Sequence, residues 1–92
     1  MNGEAEEVLG CRGRIKLLKA LMAAQRSGYA ASISKLTAAT RLKRWNVERH
    51  LEILLKLGWV EEVHTPEGRR FRLKENRKVE AARKLFKELG EV

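Results

Sequence analysis

The sequence contains no aspartate, a single cysteine and a single proline, and aromatic residues make up only 5% of its 92 positions. A lone thiol, Cys11, cannot close an internal disulfide or furnish a cysteine cage for zinc. His50 and His64, the other soft ligands, fall in different predicted elements, so neither a metal site nor a cofactor is expected. With no aspartate, no serine or cysteine beside a readable base, and no glycine-rich phosphate loop, enzyme activity is not expected either. No apolar run approaches the ~20 residues of a membrane span. The opening stretch MNGEAEEVLG is acidic where a secretory leader would be basic and then apolar, so a soluble, cytoplasmic chain is expected. No small-molecule pocket is readable.

What is present is charge. Charged residues are 35% of the chain, the net charge is +8 and the pI is about 10.2, beside an apolar share of 43% that suffices for one modest core. Such a balance favours polyanions, with nucleic acid ahead of an anionic membrane surface. The first eleven residues hold Glu4, Glu6 and Glu7 and no cation, and residues 1–11 read as a flexible acidic tail before a domain spanning 12–92. Few amides beside abundant Arg, Lys and Glu hint at a thermophilic host.

Hydrophobic period marks the elements. Ile15, Leu18 and Met22, with Leu17 and Leu21 beside them, recur at helical spacing from Arg12, and Ser27-Gly28 ends that helix. A short extended piece around Ala31–Ile33 follows, and Ser34 can cap a brief helix over about 35–40. A third helix is predicted over about 44–57, with Val47, Leu51 and Leu54 on one stripe and Gly58 as its stop. Trp59 to Val63 then reads as a strand, and Phe71 and Leu73 alternate with Arg70, Arg72 and Lys74 in a second. Thr65-Pro66-Glu67-Gly68 turns between them. Asn76 can cap a last helix, over 76–89, whose stripe is Val79, Ala82, Phe86 and Leu89 with Leu85 alongside.

The predicted order is helix, short strand, helix, helix, hairpin, helix: mainly α with a small β wing. From Ile33 to Val60 the chain resembles the winged helix-turn-helix of small prokaryotic transcriptional regulators, the class that includes ArsR-like and MarR-like repressors. Leu36 stands eleven residues before Val47, as a buried Leu precedes a buried Val in that motif, and Leu42 occupies the apolar position of the turn. The run VERHLEILLKLGWVEE matches the passage from recognition helix to wing. Three positions depart from the pattern. Arg41 stands where the turn usually has Gly, Lys43 where a Ser or Thr would cap, and Thr37 where Ala is usual.

The resemblance implies sequence-specific binding of double-stranded DNA, with the helix over about 44–57 in the major groove and a basic wing over 64–72 on the backbone or in the minor groove. On the face opposite Val47, Leu51 and Leu54, Arg44, Trp45, Asn46, Glu48 and Arg49 would be offered to base edges. Trp45 can pack on thymine methyls or fold back over Leu42; the spacing leaves both open. Ser34, Lys35, Thr40, Lys43, Arg69, Arg70 and Arg72 are the candidates for phosphate contacts. The stripe Val79, Ala82, Leu85, Phe86 and Leu89 can either cover the core or pair two copies, and a homodimer through terminal helices, associated with the nucleoid, is expected. A winged helix that binds RNA or protein, or a nonspecific chromatin-like DNA binder, would share the same charge and fold.

Overall fold

The computed structural model describes residues 3–91, so Met1, Asn2 and Val92, at the two ends of the tail and domain read from the sequence, lie outside it. The elements are α1 (Glu4–Leu9), α2 (Arg12–Arg26), α3 (Ile33–Thr40), α4 (Arg44–Lys56), β1 (Val60–Thr65), β2 (Gly68–Leu73) and α5 (Arg77–Glu88). None of the described helices is long and apolar enough to cross a membrane. The core gathers Leu17, Leu18 and Leu21 of α2, Leu36 of α3 and Val47, Leu51 and Leu54 of α4. Phe71 and Leu73 of the hairpin and Val79 of α5 close it.

Schellman closure ends α4 and starts the wing. Gly58 takes φ +80°, a left-handed conformation that costs glycine little, so that Gly58 N–H donates to Leu55 O at 3.2 Å and Trp59 N–H to Leu54 O at 2.9 Å. This places Trp59 in the interior. β1 and β2 pair antiparallel from Thr65↔Gly68 at the tip to Val60↔Leu73 at the base, and only Pro66 and Glu67 lie between the strands. A two-residue loop leaves no slack, so it sets the register of the whole hairpin. Asn76 joins the ends: its Oδ1 accepts from Val79 N at 3.0 Å as the predicted cap, and its Nδ2 donates to Gly58 O at 2.8 Å.

Four expectations need correction. The acidic tail is a folded element, because Val8 is fully buried and ties α1 to the core. Glu4 Oε2 accepts from Trp59 Nε1 at 2.7 Å and from Lys78 Nζ at 2.6 Å, which clasps α1 over the base of the wing and α5. The extended piece near Ala31 is one bridge, Ala31↔Phe71, since α3 starts two residues earlier than expected. Its cap is Ser32, whose hydroxyl accepts from Lys35 N at 3.1 Å, and Ser34 lies exposed inside the helix. The α5 stripe is divided: Val79, Ala82 and Phe86 cover the core, whereas Leu85 and Leu89 are exposed, at 46% and 64%. Three of the five residues expected at a dimer interface are therefore already used within one chain.

The Glu4 clasp has a pH signature. The Lys78 hydrogen bond, then that of Trp59, hold its carboxyl below the ordinary 4.5 against a smaller opposing effect of desolvation. A carboxylate depressed on folding stabilises the protein above its unfolded value and loses that contribution as pH falls through the folded one. Glu4→Gln should lower the urea midpoint at neutral pH. It should also lessen the loss of stability from about 4.5 downward. Parallel urea titrations of the two proteins between neutrality and acid measure both effects.

Candidate nucleic-acid interface

Because Val47, Leu51 and Leu54 are buried, the 100° helical increment turns Arg44, Trp45, Glu48, Arg49 and Glu52 outward. Trp45 is 59% exposed, so most of its ring is open to solvent, and Leu42 is partly buried against the core. Asn46 is half-buried at the edge of the same face. Arg44 Nε lies 4.0 Å from Glu48 Oε2, one turn on, while Arg49 has no carboxylate within ion-pair distance among the described residues. The N-terminal half of α4 thus presents two guanidiniums, an indole and an amide in one patch.

His50 sets how α4 sits on α2. Its Nδ1 accepts from Arg14 Nε at 3.3 Å, and its Nε2 lies so close to Gly13 that a Cβ there would come within 2.7 Å. Burial, then the neighbouring charges of Arg14 and Arg49, lower its pKa, which favours the neutral ring that can accept from Arg14. Arg14 also donates to the Glu7 carbonyl, which links α1 to α4 through one side chain.

The turn before α4 is strained. Arg41 adopts φ 61° and ψ 22°, a left-handed conformation that a residue with a Cβ takes at a cost. Lys43 occupies the N-cap with no side-chain hydrogen bond, as expected of a lysine there. Both are exposed, so the turn adds two cations beside Arg44. Lys35 is exposed too, its Nζ 5.0 Å from the centre of the Tyr29 ring. Thr40 is different: it is buried, its hydroxyl donates to Leu36 O at 2.7 Å and accepts from Leu42 N at 3.3 Å. The expectation of a phosphate contact at Thr40 is corrected, since both functions of that hydroxyl close the turn.

On the wing, the arginine cluster is not free. Arg69 reaches both oxygens of Glu62, at 2.9 and 3.0 Å, and its guanidinium lies 5.2 Å from the centre of the Phe71 ring. Arg72 Nε donates to Glu61 Oε2 at 2.6 Å. Arg70 turns back on the Arg69 carbonyl at 3.0 Å and meets no carboxylate among the described residues. Arg69 holds the Glu62 carboxyl below its ordinary range and is itself raised in return. These carboxylate partners were missed in the sequence, although the two-residue turn places Glu61 across from Arg72 and would have revealed one of them. The cleft between wing and α4, about 410 Å³, is lined by Glu48 and Glu52 on one side and Arg69 on the other. Among the described residues no group of three or more His, Cys or Glu side chains could hold a metal ion.

No protein-family model matches this chain, and a search of the curated proteins finds no match. Solved structures do. Diamide-treated YodB from B. subtilis superposes with a TM-score of 0.71 at 20% identity, over 95% of this chain and 83% of that one. A predicted DNA-binding transcriptional regulator from E. coli gives 0.71 at 20%, over 94% and 85%. A MarR family transcriptional regulator from Silicibacter pomeroyi gives 0.67 at 17%, over 94% of this chain and 56% of that one. The likeness establishes the winged-helix fold: helices with a two-stranded antiparallel wing.

Arg41 yields a direct test of the turn. A left-handed residue with a Cβ costs ~1–2 kcal/mol, and glycine returns part of that relief as unfolded-state entropy. Arg41→Gly should therefore stabilise the fold by about 0.5–1 kcal/mol, whereas Arg41→Ala should not. Urea denaturation of the three proteins decides it.

Proposed function

We propose that this winged helix is a transcriptional regulator that binds duplex DNA in a sequence-specific way, inserting the N-terminal half of α4 into the major groove. The observation that carries this reading is the exposed Arg44, Trp45 and Arg49 with half-buried Asn46 at their edge, flanked by the exposed cations Arg41 and Lys43. A guanidinium can fork onto guanine and an amide onto adenine, Glu48 can accept from cytosine, and an indole can pack on thymine methyls or sugars. Ser34 and Lys35, near the start of α3, serve as backbone contacts together with Lys43. Arg70 is the wing's free contact, with Arg69 and Arg72 available once their carboxylates release them. The solved structures with this fold include proteins described as transcriptional regulators, which agrees with the reading. Association with the nucleoid follows from it.

We further read the regulator as a homodimer, through a smaller surface than the sequence offered. A groove of about 340 Å³ between α1 and α5 is lined by Ala5, Leu9, Trp59, Ala81 and Leu85, and Leu89 is exposed at the end of α5. Two-fold pairing there would bury the apolar side chains that the core leaves outside and would present two reading helices to a palindromic site. Leu85→Glu with Leu89→Glu should convert a dimer into a folded monomer in sedimentation at tens of micromolar. Phe86→Glu, by contrast, should unfold the chain, because that ring is buried within one copy. Wild-type monomers at those concentrations would remove the dimer.

Selection from random duplexes with the purified protein tests the DNA reading, and Arg49→Ala tests the groove contact. Arg49 is exposed, so its loss should change stability by no more than about 0.5 kcal/mol. On the selected site the variant should lose ~1–3 kcal/mol of binding and relax preference at one base pair. Random duplex should suffer far less, since phosphate contacts dominate there. Arg49→Lys keeps charge without the planar fork and should blur the same base while sparing random binding. Failure to select any duplex, with retention of RNA or a protein, would favour an adaptor role for the same fold.

A further inference from the structure

The wing's charges are arranged against the simplest form of DNA binding. Between Val60 and Leu73, Glu61, Glu62 and Glu67 stand against Arg69, Arg70 and Arg72, so the hairpin that looked basic carries no net formal charge with His64 neutral. Side chains alternate between faces along each strand. Glu61 and its directly opposite partner Arg72 share one face, while Glu62 shares the other with His64 and with Arg69 on the diagonal. On that second face Glu62 holds Arg69 with both oxygens, at 2.9 and 3.0 Å, and meets His64 Nε2 at 3.0 Å. A carboxylate engaged in this way presents the same planar pair of acceptors that a phosphate would, and it is covalently tethered beside the arginine.

We infer that Glu61 and Glu62 are specificity-determining residues of the wing: they occupy Arg72 and Arg69 as internal phosphate substitutes and so suppress binding to random duplex. The inference rests on the DNA reading above and deepens it. A phosphate must displace a tethered carboxylate before it gains either guanidinium, so an approach driven by charge alone releases fewer counterions than three wing arginines would suggest. The cleft beside the wing acts in the same direction, since Glu48 and Glu52 line its α4 side opposite Arg69. Attraction is thereby left to Arg70 on the wing and chiefly to Arg41, Lys43, Arg44 and Arg49 around the reading helix, where a base edge can be recognised at the same time. The acids set the ratio of specific to random binding more than the affinity for the preferred site.

The test compares wild type with Glu61→Gln/Glu62→Gln on a fluorescein-labelled random duplex and on the duplex recovered by selection, across a salt series. Each phosphate newly engaged adds ~0.9 to the log–log salt slope and, near 0.1 M salt, close to a tenfold gain in affinity. The double variant should therefore bind random duplex about tenfold or more tightly, with a steeper slope by about 1–2. It should bind the selected site with a smaller gain, so discrimination narrows. Adding Arg69→Ala and Arg72→Ala to the same protein should return the slope to the wild-type value. Unchanged affinity and slope in a double variant that melts cooperatively would overturn the inference while leaving the DNA reading intact. So would weaker binding, because acids that only brace the hairpin would weaken binding when removed. If wild type binds no duplex while the double variant binds none either, both readings fall together.

Discussion

Two backbone hydrogen bonds hold the wing against the helices: Ala31 N–H to Phe71 O and Phe71 N–H to Ala31 O, each at 2.8 Å. Strand β2 meets the helical part of the chain here as a ladder would, and the Phe71 ring beneath is 1% exposed. A two-stranded hairpin alone is marginal in water. The bridge to Ala31 and the burial of Phe71 give this one a fixed base, and the base fixes the cleft between wing and α4. Asn76 repeats the arrangement at the other side, tying the start of α5 to the corner where α4 ends. The distance between α4 and the wing is set by these few contacts.

Much of this was legible in the sequence because the informative positions are apolar and periodic. Val47, Leu51 and Leu54 fix the buried side of α4, and its opposite face follows from geometry alone. Gly58 marks the helix stop because its left-handed φ is nearly specific to glycine. The misreadings share a different cause: they depend on what a short segment packs against. Ser32 and Ser34 are equally able to cap, and the choice between them was made by Ala31 pairing with Phe71, forty residues away. Thr40 looks like a surface hydroxyl until the fold of the turn encloses it. Val79, Ala82 and Phe86 read identically whether they meet their own core or a second copy, and Val8, next to Leu9, sits in an otherwise acidic stretch. Its burial becomes visible only when Trp59 and Lys78 are placed beside Glu4.

The acid side of the chain has one chemistry. Every acidic residue is glutamate, whose longer arm reaches across a register diagonal or between elements. Glu4 reaches both Trp59 and Lys78, Glu62 spans to Arg69, and Glu75 lies 3.2 Å from Arg83 Nη2. Aspartate is also the common carboxylate cap, and without it Ser32 and Asn76 cap α3 and α5 while α4 opens on uncapped Lys43. A carboxylate at that cap would stabilise the helix and repel an approaching phosphate. The start of α4 is therefore electropositive, at some expense in the helix's own stability.

The two tryptophans occupy opposite environments. Trp45 stands exposed on the outer face of α4, and Trp59 is buried with its indole N–H on Glu4. Their emission should separate by colour, with a red, quencher-accessible component from one and a blue, shielded component from the other. The molecule thus contains two native optical probes on different parts of its surface and interior. Light from Trp45 follows the outer face of α4, and light from Trp59 follows the seat of the N-terminal helix, without any dye attached. A single Trp→Phe change at either position would leave one channel recording its own event.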